Sequence, residues 1–458
     1  MRMIKRYQLF SCRHAKIFLL LLLFSGICAG CLDKELLEAK VNKLVQNLGN
    51  EDENVSYASA YALIDIGEPS VDSLMKALKD DNPQVRSLAA FSLGRIGEQR
   101  ASEPLIETLV DSEPEVRMNS AEALGELKAQ EAVDPLIKLL DDDNDKVRSK
   151  VVFALGAIGD PKAARPLIEL FGNKELGSSA ASAVGNLKSE DVVEQLIGLL
   201  DSRDSNVRIN SICALRDIRD PSSIPYLIEM LDDKVPEVRK EAAFALSFFT
   251  EPEEISQTEQ PLIGALGDSD PEVQETAVRS LGSIESKESI PYLEDILQNN
   301  NQKLQIAAVE SLGRIGDPET VDSLTAIFND DAWLVRERVV DSLVKIGDSR
   351  AVDPLISSLG DENYRVRQSA ADGLGKLGDQ RPVKPLLKAL ETERERDVRA
   401  AEVRALGELG GSEAVEGLRH ISKDMEEYRN VRTAAEELLK NLEGDEEVNV
   451  SSTSLSIE

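Results

Sequence analysis

A dipeptide, Val-Arg, returns along this chain at a near-constant interval, and no other feature limits the possible folds so tightly. It stands at Val85-Arg86, Val116-Arg117, Val147-Arg148, Val207-Arg208, Val238-Arg239, Val335-Arg336, Val366-Arg367, Val398-Arg399 and Val431-Arg432. Degenerate copies at Val55-Ser56, Leu176-Gly177, Val273-Gln274 and Leu304-Gln305 complete 13 units, mostly 31 residues apart. A period in the range of about 20–50 residues is the mark of a repeat array. The one large departure falls between Val238 and Val273, where Thr250 to Gln257 reads as a lengthened connection.

Each unit reads as two helices. Pro83, Pro114, Pro236 and Pro271 lie two residues before the Val, in the first helical turn, where a missing N–H is no loss. Counting that Val as zero, apolar or small residues recur at +4, +5, +8 and +11, as in Ala89, Ala90, Leu93 and Ile96, a stripe at helical period. Gly follows at +12 in many copies (Gly67, Gly97, Gly159, Gly316, Gly347, Gly378, Gly410), as a left-handed C-terminal cap requires. A further amphipathic segment then runs as in Ala132 to Leu140. A helix pair of this size cannot bury its apolar face alone, so stacking on its neighbours must complete the core. The sequence predicts an all-α chain, an α-solenoid of about 13 helix-pair repeats of about 31 residues.

The pattern Asp330-Asp-Ala-Trp-Leu-Val-Arg336 followed by Leu343-Val-Lys-Ile-Gly-Asp348 resembles the HEAT-like repeats named after phycobilisome lyases. The resemblance spans residues 36–442. It implies architecture first, because that group includes chromophore lyases, metal-dependent hydroxylases and many binding scaffolds. It also implies that the second helix of each pair lines an inner, concave surface.

The expected layout is a signal peptide over 1–30, the repeat solenoid over 31–442 and a disordered acidic tail over 443–458. Basic residues up to Lys16, the apolar run Ile17 to Phe24 and small residues before Cys31 follow the order of a secretory signal. The apolar stretch is short of the roughly 20 residues that span a bilayer. Ala29-Gly30-Cys31 resembles the lipobox of prokaryotic lipoproteins, although Cys28 stands where Leu is usual. The resemblance implies lipid on Cys31 and a protein exported to the outer face of the cell membrane. An uncleaved anchor and simple secretion are the alternatives. Of the remaining cysteines only Cys213 survives cleavage, so no disulfide frames the fold. Asn54 and Asn449 sit in Asn-x-Ser sequons and are candidate glycosylation sites in an exported chain.

Formal net charge is −31, and residues 1–30 hold five cations and no acid, leaving −36 on the rest. A field of that sign repels phosphates and anionic headgroups, which argues against nucleic acid as a partner. The acidity reads first as a solubility device and second as a match for a basic partner.

Comparing the copies with one another separates two columns. The Arg column at +1 (Arg86, Arg117, Arg148, Arg208, Arg239, Arg336, Arg367, Arg399, Arg432) is nearly constant and reads as a structural ladder. Its expected partners are carboxylates of an adjacent loop, such as Asp142, Asp160, Asp317, Asp348 or Asp379. The +6 column changes character along the chain, aromatic or small early (Tyr61, Phe91, Phe153, Ser182, Cys213, Phe244, with Glu122 the exception) and charged from Arg279 onward. With Tyr57 and Met118 at +2, on the same helix face, Tyr57, Tyr61, Phe91, Met118, Phe153 and Phe244 form a candidate partner-binding groove. The competing reading places the aromatics in the core between helices.

Catalytic groups are sparse. The chain past residue 31 has one His, His420, and no His-Glu dipeptide, so the hydroxylase chemistry of some HEAT-like proteins lacks its ligands. Zinc-type Cys/His spacings, Gly-x-Ser-x-Gly elbows and phosphate loops are missing, and no metal or other cofactor is expected. The sequence predicts a lipid-anchored, non-enzymatic scaffold that binds a protein or peptide through its groove. The alternatives are a self-associating envelope component and a lyase or chaperone-like enzyme.

Overall fold

The structure, a computed structural model, describes residues 34–187 and 189–453. Its 26 α-helices form 13 pairs, with no strand among the described residues. The chain divides into two compact units between Val192 and Val193.

The first unit holds α1 (Lys34–Asn47), α2 (Glu53–Ile66), α3 (Val71–Ala77), α4 (Pro83–Ile96), α5 (Ser102–Glu107), α6 (Pro114–Glu126), α7 (Val133–Lys138), α8 (Asp145–Ile158), α9 (Ala164–Ile168) and α10 (Gly177–Gly185). Helix α11 (Glu190–Leu199) crosses the division. The second unit continues with α12 (Ser205–Ile218), α13 (Ile224–Glu229), α14 (Pro236–Leu246), α15 (Pro252–Ala265), α16 (Pro271–Ser283), α17 (Ile290–Ile296) and α18 (Gln302–Ile315). It ends with α19 (Val321–Thr325), α20 (Trp333–Ile346), α21 (Val352–Ser358), α22 (Tyr364–Leu377), α23 (Val383–Leu390), α24 (Arg396–Leu409), α25 (Gly411–Lys423) and α26 (Arg429–Thr453).

Even-numbered helices are the second helices of the repeats, and they start and stop where local chemistry dictates. Asn82, Asn144, Asp204, Asp270, Asn301 and Asn363 cap their N-termini by accepting backbone N–H bonds that the first turn would leave unsatisfied. At +12, Gly97, Gly159, Gly316, Gly347 and Gly378 take the left-handed conformation. Lys128, Arg219 and Glu285 adopt positive φ at the same place without glycine.

Within each unit successive even helices pack side by side, α4 on α6 and α6 on α8, then α18 on α20 and α22 on α24. The closeness of that packing comes from a glycine column at +9 facing small residues at +7 of the next repeat. A Cβ on Gly94 would stand 2.7 Å from Ala123 Cα, one on Gly125 2.7 Å from Ala154 Cα, and one on Gly313 2.5 Å from Ser342 Cβ. Where Val344 occupies +9, the glycine moves to the facing helix, because a Cβ on Gly373 would lie 2.4 Å from Val344 Cγ2. Ser280, Ser311 and Ser342 then donate across the gap to Ala243, Val278 and Val309 carbonyls at 2.8–2.9 Å.

Two segments differ from the sequence reading. Pro252 to Gln257 does not lengthen a loop but supplies extra turns to α15, started by Pro252 at its first position and a reciprocal Glu251–Glu254 capping box. Helix α26 runs on to Thr453, through residues assigned above to a disordered tail, since propagation from an already docked helix needs no new nucleus. Residues 1–30 and Cys31 lie outside the described residues. No helix among the described residues is long and apolar enough to cross a membrane.

Candidate functional site

Two sets of side chains repeat with the fold. The first is the arginine ladder. Arg117 sits in the first turn of α6, and its Nε and Nη2 donate to both oxygens of Asp142 at 2.7 and 2.9 Å, while Nη1 donates to the Asp111 carbonyl at 2.8 Å. Asp111 in turn takes Arg86 with its carboxylate at 2.7 and 2.9 Å. One aspartate therefore binds the preceding repeat's arginine with its side chain and its own repeat's arginine with its backbone. The same relay links Arg208 to Asp233, Arg239 to Asp268 and Arg336 to Asp361. Near the end glutamates take over, with Arg367 on Glu393 and Arg399 on Glu427.

These bonds correct the expected partners. Asp142 is a ladder carboxylate, but Asp160, Asp317, Asp348 and Asp379 instead accept backbone N–H groups two residues on, at 2.8–3.0 Å, starting the next short turn. Those residues lie at the far end of the arginine's own helix, and about 12 residues at 1.5 Å each put them out of reach. Among the described residues Arg148 and Arg432 find no next-repeat carboxylate. Asn173 stands where the aspartate would be, so Arg148 turns to Asp145 and the Asp142 carbonyl. Arg432 donates to the Asp424 carbonyl at 3.4 Å.

The ladder shifts its own titrations. The hydrogen bonds from Arg86, Arg117 and Arg239 hold Asp111, Asp142 and Asp268 below the usual carboxylate range. Bidentate geometry and partial burial make these pairs strong, and their role is to fix the spacing of repeats.

The second set is the +2/+6 stripe. In the first unit Tyr57, Tyr61 and Phe153 are exposed at 39%, 51% and 53%, and Phe91 and Met118 are half-buried. Tyr61 and Phe91 meet edge to face at 6.0 Å. The cations beside them are neutralised internally. Arg95 lies 5.5 Å over the Phe91 ring and pairs with Glu126 at 3.1 Å, and Lys150 lies 6.0 Å from the Phe153 ring and pairs with Glu122 at 2.8 Å. Burial pushes the Glu126 carboxyl above its ordinary value. Met118 borders a shallow cleft of about 350 Å³ with Ser149, Lys150 and Leu176.

Phe244 belongs to the second unit, not to this row. It packs edge to face on Phe248 at 5.1 Å, under the Arg216 guanidinium at 5.4 Å, and stays 42% exposed. Beyond it the +6 column is an ion network, with Arg279 on Glu310 at 2.7 Å, Arg338 on Glu310 at 3.2 Å and Arg404 on Asp372 at 2.9 Å. Charge in that stretch is spent within the protein, whereas the first unit presents rings.

Cys213 donates to Glu241 at 3.2 Å, and burial with the Glu241 charge pushes its thiol up to about 12, unfit for a nucleophile. Among the described residues no three His, Cys, Asp or Glu converge to hold a metal. Asn54 is exposed in the first turn of α2, hydrogen-bonded to Asp52 at 3.0 Å. Asn449 falls in the stretch of α26 whose side chains are outside the description. The sequence reading missed the glycine column, which emerges only when +9 of one copy is set against +7 of the next.

Comparison with known proteins fits this geometry. Solved structures of similar fold include yeast importin-beta, Kap95p (TM-score 0.58, 15% identity, 88% of this chain and 67% of that one). A Kap121p variant matches at TM-score 0.59 and 12% identity, over 92% of this chain and 55% of that one. Kap95p with RanGDP matches at TM-score 0.55 and 16% identity, over 88% of this chain, which spans 60% of the length of that Kap95p. At such identities the likeness is one of fold. No curated protein matches the sequence. The family model for HEAT repeats matches six overlapping stretches, 41–113, 102–177, 172–247, 236–304, 295–370 and 352–440. The chain belongs to the HEAT-repeat family.

Proposed function

We propose that this chain is a binding scaffold, held by lipid on Cys31 at the outer face of the cell membrane, that takes a protein or peptide on the second-helix face of its first unit. The observation that carries the reading is the row Tyr57, Tyr61, Phe91 and Phe153, with its neighbouring cations already paired. Exposed aromatics grouped on one face are characteristic of partner sites, and the cations nearest the Phe91 and Phe153 rings are already paired with Glu126 and Glu122. Solved proteins of this fold support it by analogy: Kap121p binds the extreme C-terminus of the phosphatase Cdc14p, and Kap95p binds RanGDP. The acidic chain favours a partner with basic groups at the rim.

The test places a photo-crosslinking amino acid at Tyr61 or Phe153, and at the outward Val110 as control, in the full-length protein in its native cells. One discrete heterologous adduct from the two face positions and none from Val110 supports the scaffold. Adducts with a second copy of the chain favour an envelope component that binds itself, and equal adducts from all three positions overturn the site. Anchoring is tested separately, by metabolic labelling with palmitate. Incorporation that vanishes in Cys31→Ser supports it, and unlabelled protein overturns it.

A further inference from the structure

Helix α24 carries a residue out of keeping with its column. At +4 the other copies place small or apolar side chains, as at Ala89, Val151, Ala242, Ala277, Ala308, Val339 and Ala370, but here the residue is Glu402. It is completely buried, and neither carboxylate oxygen has a hydrogen-bond partner. An ionised carboxylate without partners in such a place is costly, so the group holds a proton.

Its surroundings show what that proton controls. The charged groups acting on Glu402 are Glu393 in the loop before α24, Arg399 one turn earlier on α24, Arg367 from α22 and Glu427 from the loop between α25 and α26. Arg367 is bound by Glu393 at 2.6 and 3.1 Å. Arg399 is bound by both oxygens of Glu427 at 3.1 Å and donates to the Glu393 carbonyl at 2.9 Å. Two guanidiniums thus stand among three carboxyls, and the cluster is neutral only while Glu402 is protonated. The Arg399–Glu427 pair is also the last rung of the ladder, tying the α25–α26 loop to α24.

We propose that Glu402 is a proton-held latch on the C-terminal helix pair: protonated, it leaves Arg399 to Glu427 and the pair stays docked; deprotonated, it competes for Arg399 and α25–α26 loosens. Burial first, and then the Glu393 charge, push its carboxyl up to about 8, so the switch lies near neutrality. The sign follows. The docked state holds the proton and an opened state does not, so opening becomes easier by about tenfold per pH unit between the ordinary glutamate range and about 8, then levels off.

The experiment is hydrogen exchange on the full chain at pH 6, 7, 8 and 9, corrected for intrinsic rates, comparing wild type with Glu402→Gln. Amides of α25 and of α26 up to Leu442 should lose protection about tenfold per unit from pH 6 to 8 in wild type and stay flat in Glu402→Gln. Glu402→Ala, which restores the residue of the other copies, is the second variant should the glutamine not fold, and it too should be flat. Parallel behaviour of wild type and variants overturns the latch, as does a loss of protection spread evenly from α12 to α26.

Discussion

Gly313→Ala isolates what the glycine column does. The new methyl carbon would lie 2.5 Å from Ser342 Cβ and Oγ and 2.8 Å from Ser342 Cα, where carbon contacts prefer about 3.5–4.0 Å. Ser342 Cα is backbone and cannot swing aside, so α18 and α20 must part by about 1 Å, an overpacking cost of about 2–3 kcal/mol. Parting also stretches the buried bond from Ser342 Oγ to the Val309 carbonyl, now 2.9 Å, worth about 1 kcal/mol. Against this, alanine in a helix interior returns about 1 kcal/mol. The expected balance is a loss of about 2–3 kcal/mol. Read by hydrogen exchange at the amides of α18 and α20, that is a fall in protection of about 30- to 150-fold. Gly264→Ala is the control, a helical glycine with nothing within 4 Å of its Cβ position; it should stabilise α15 by up to about 1 kcal/mol. Gly373→Ala should be harmful and be rescued by Val344→Gly, which clears the Cγ2 lying 2.4 Å away. If Gly313→Ala raised protection as Gly264→Ala does, the column would be incidental.

The ladder predicts unequal aspartates. Asp142→Ala strands the half-buried Arg117 and should cost about 2–4 kcal/mol, whereas Asp348→Ala, which removes a turn cap, should cost about 1 kcal/mol in urea unfolding. Because Asp111 and Asp142 titrate below their unfolded value, their stabilisation is present above about pH 4 and is lost as pH falls through their folded-state range. Acid titration of the first unit should therefore flatten in Asp142→Asn. Phe153→Ser should change stability by less than about 1 kcal/mol, since the ring is more than half exposed, while abolishing the crosslinked adduct. Phe91→Ser, losing a half-buried ring that meets Tyr61 edge to face, should cost about 1–3 kcal/mol.

Much of the fold was legible because it is written 13 times over. The Val-Arg pair, the leading prolines and the +12 glycines each mark a helix end by chemistry that acts within a few residues. Partner choice acts between copies and was harder to read. Arg117 could have been assigned to Asp142 rather than to a residue such as Asp160 only by weighing distance along the helix axis. Glycine at +9, taken alone, is a weak helix former; its meaning lies in Ala154 or Ser342 on the facing helix. The aromatic stripe was legible as a face, but whether Phe153 met solvent or core depended on how far neighbouring helices reach across it. Phe244 was grouped with the others because column position says nothing about where a chain divides into units. Glu402 departs visibly from the small or apolar +4 column, but that it is buried with no hydrogen-bond partner could be read only from the structure.

The double use of each ladder aspartate also bears on how such a chain changes length. Where the ladder is complete, a copy offers upstream the same carboxylate that it seeks downstream, as Asp111 receives Arg86 and Arg117 seeks Asp142. A duplicated block of one whole period cut within such a stretch therefore rejoins with its arginine–carboxylate pairings intact. Growth or loss by whole copies keeps the ladder, and a fractional insertion is absorbed where, as at the start of α15, the added residues wind into a helix.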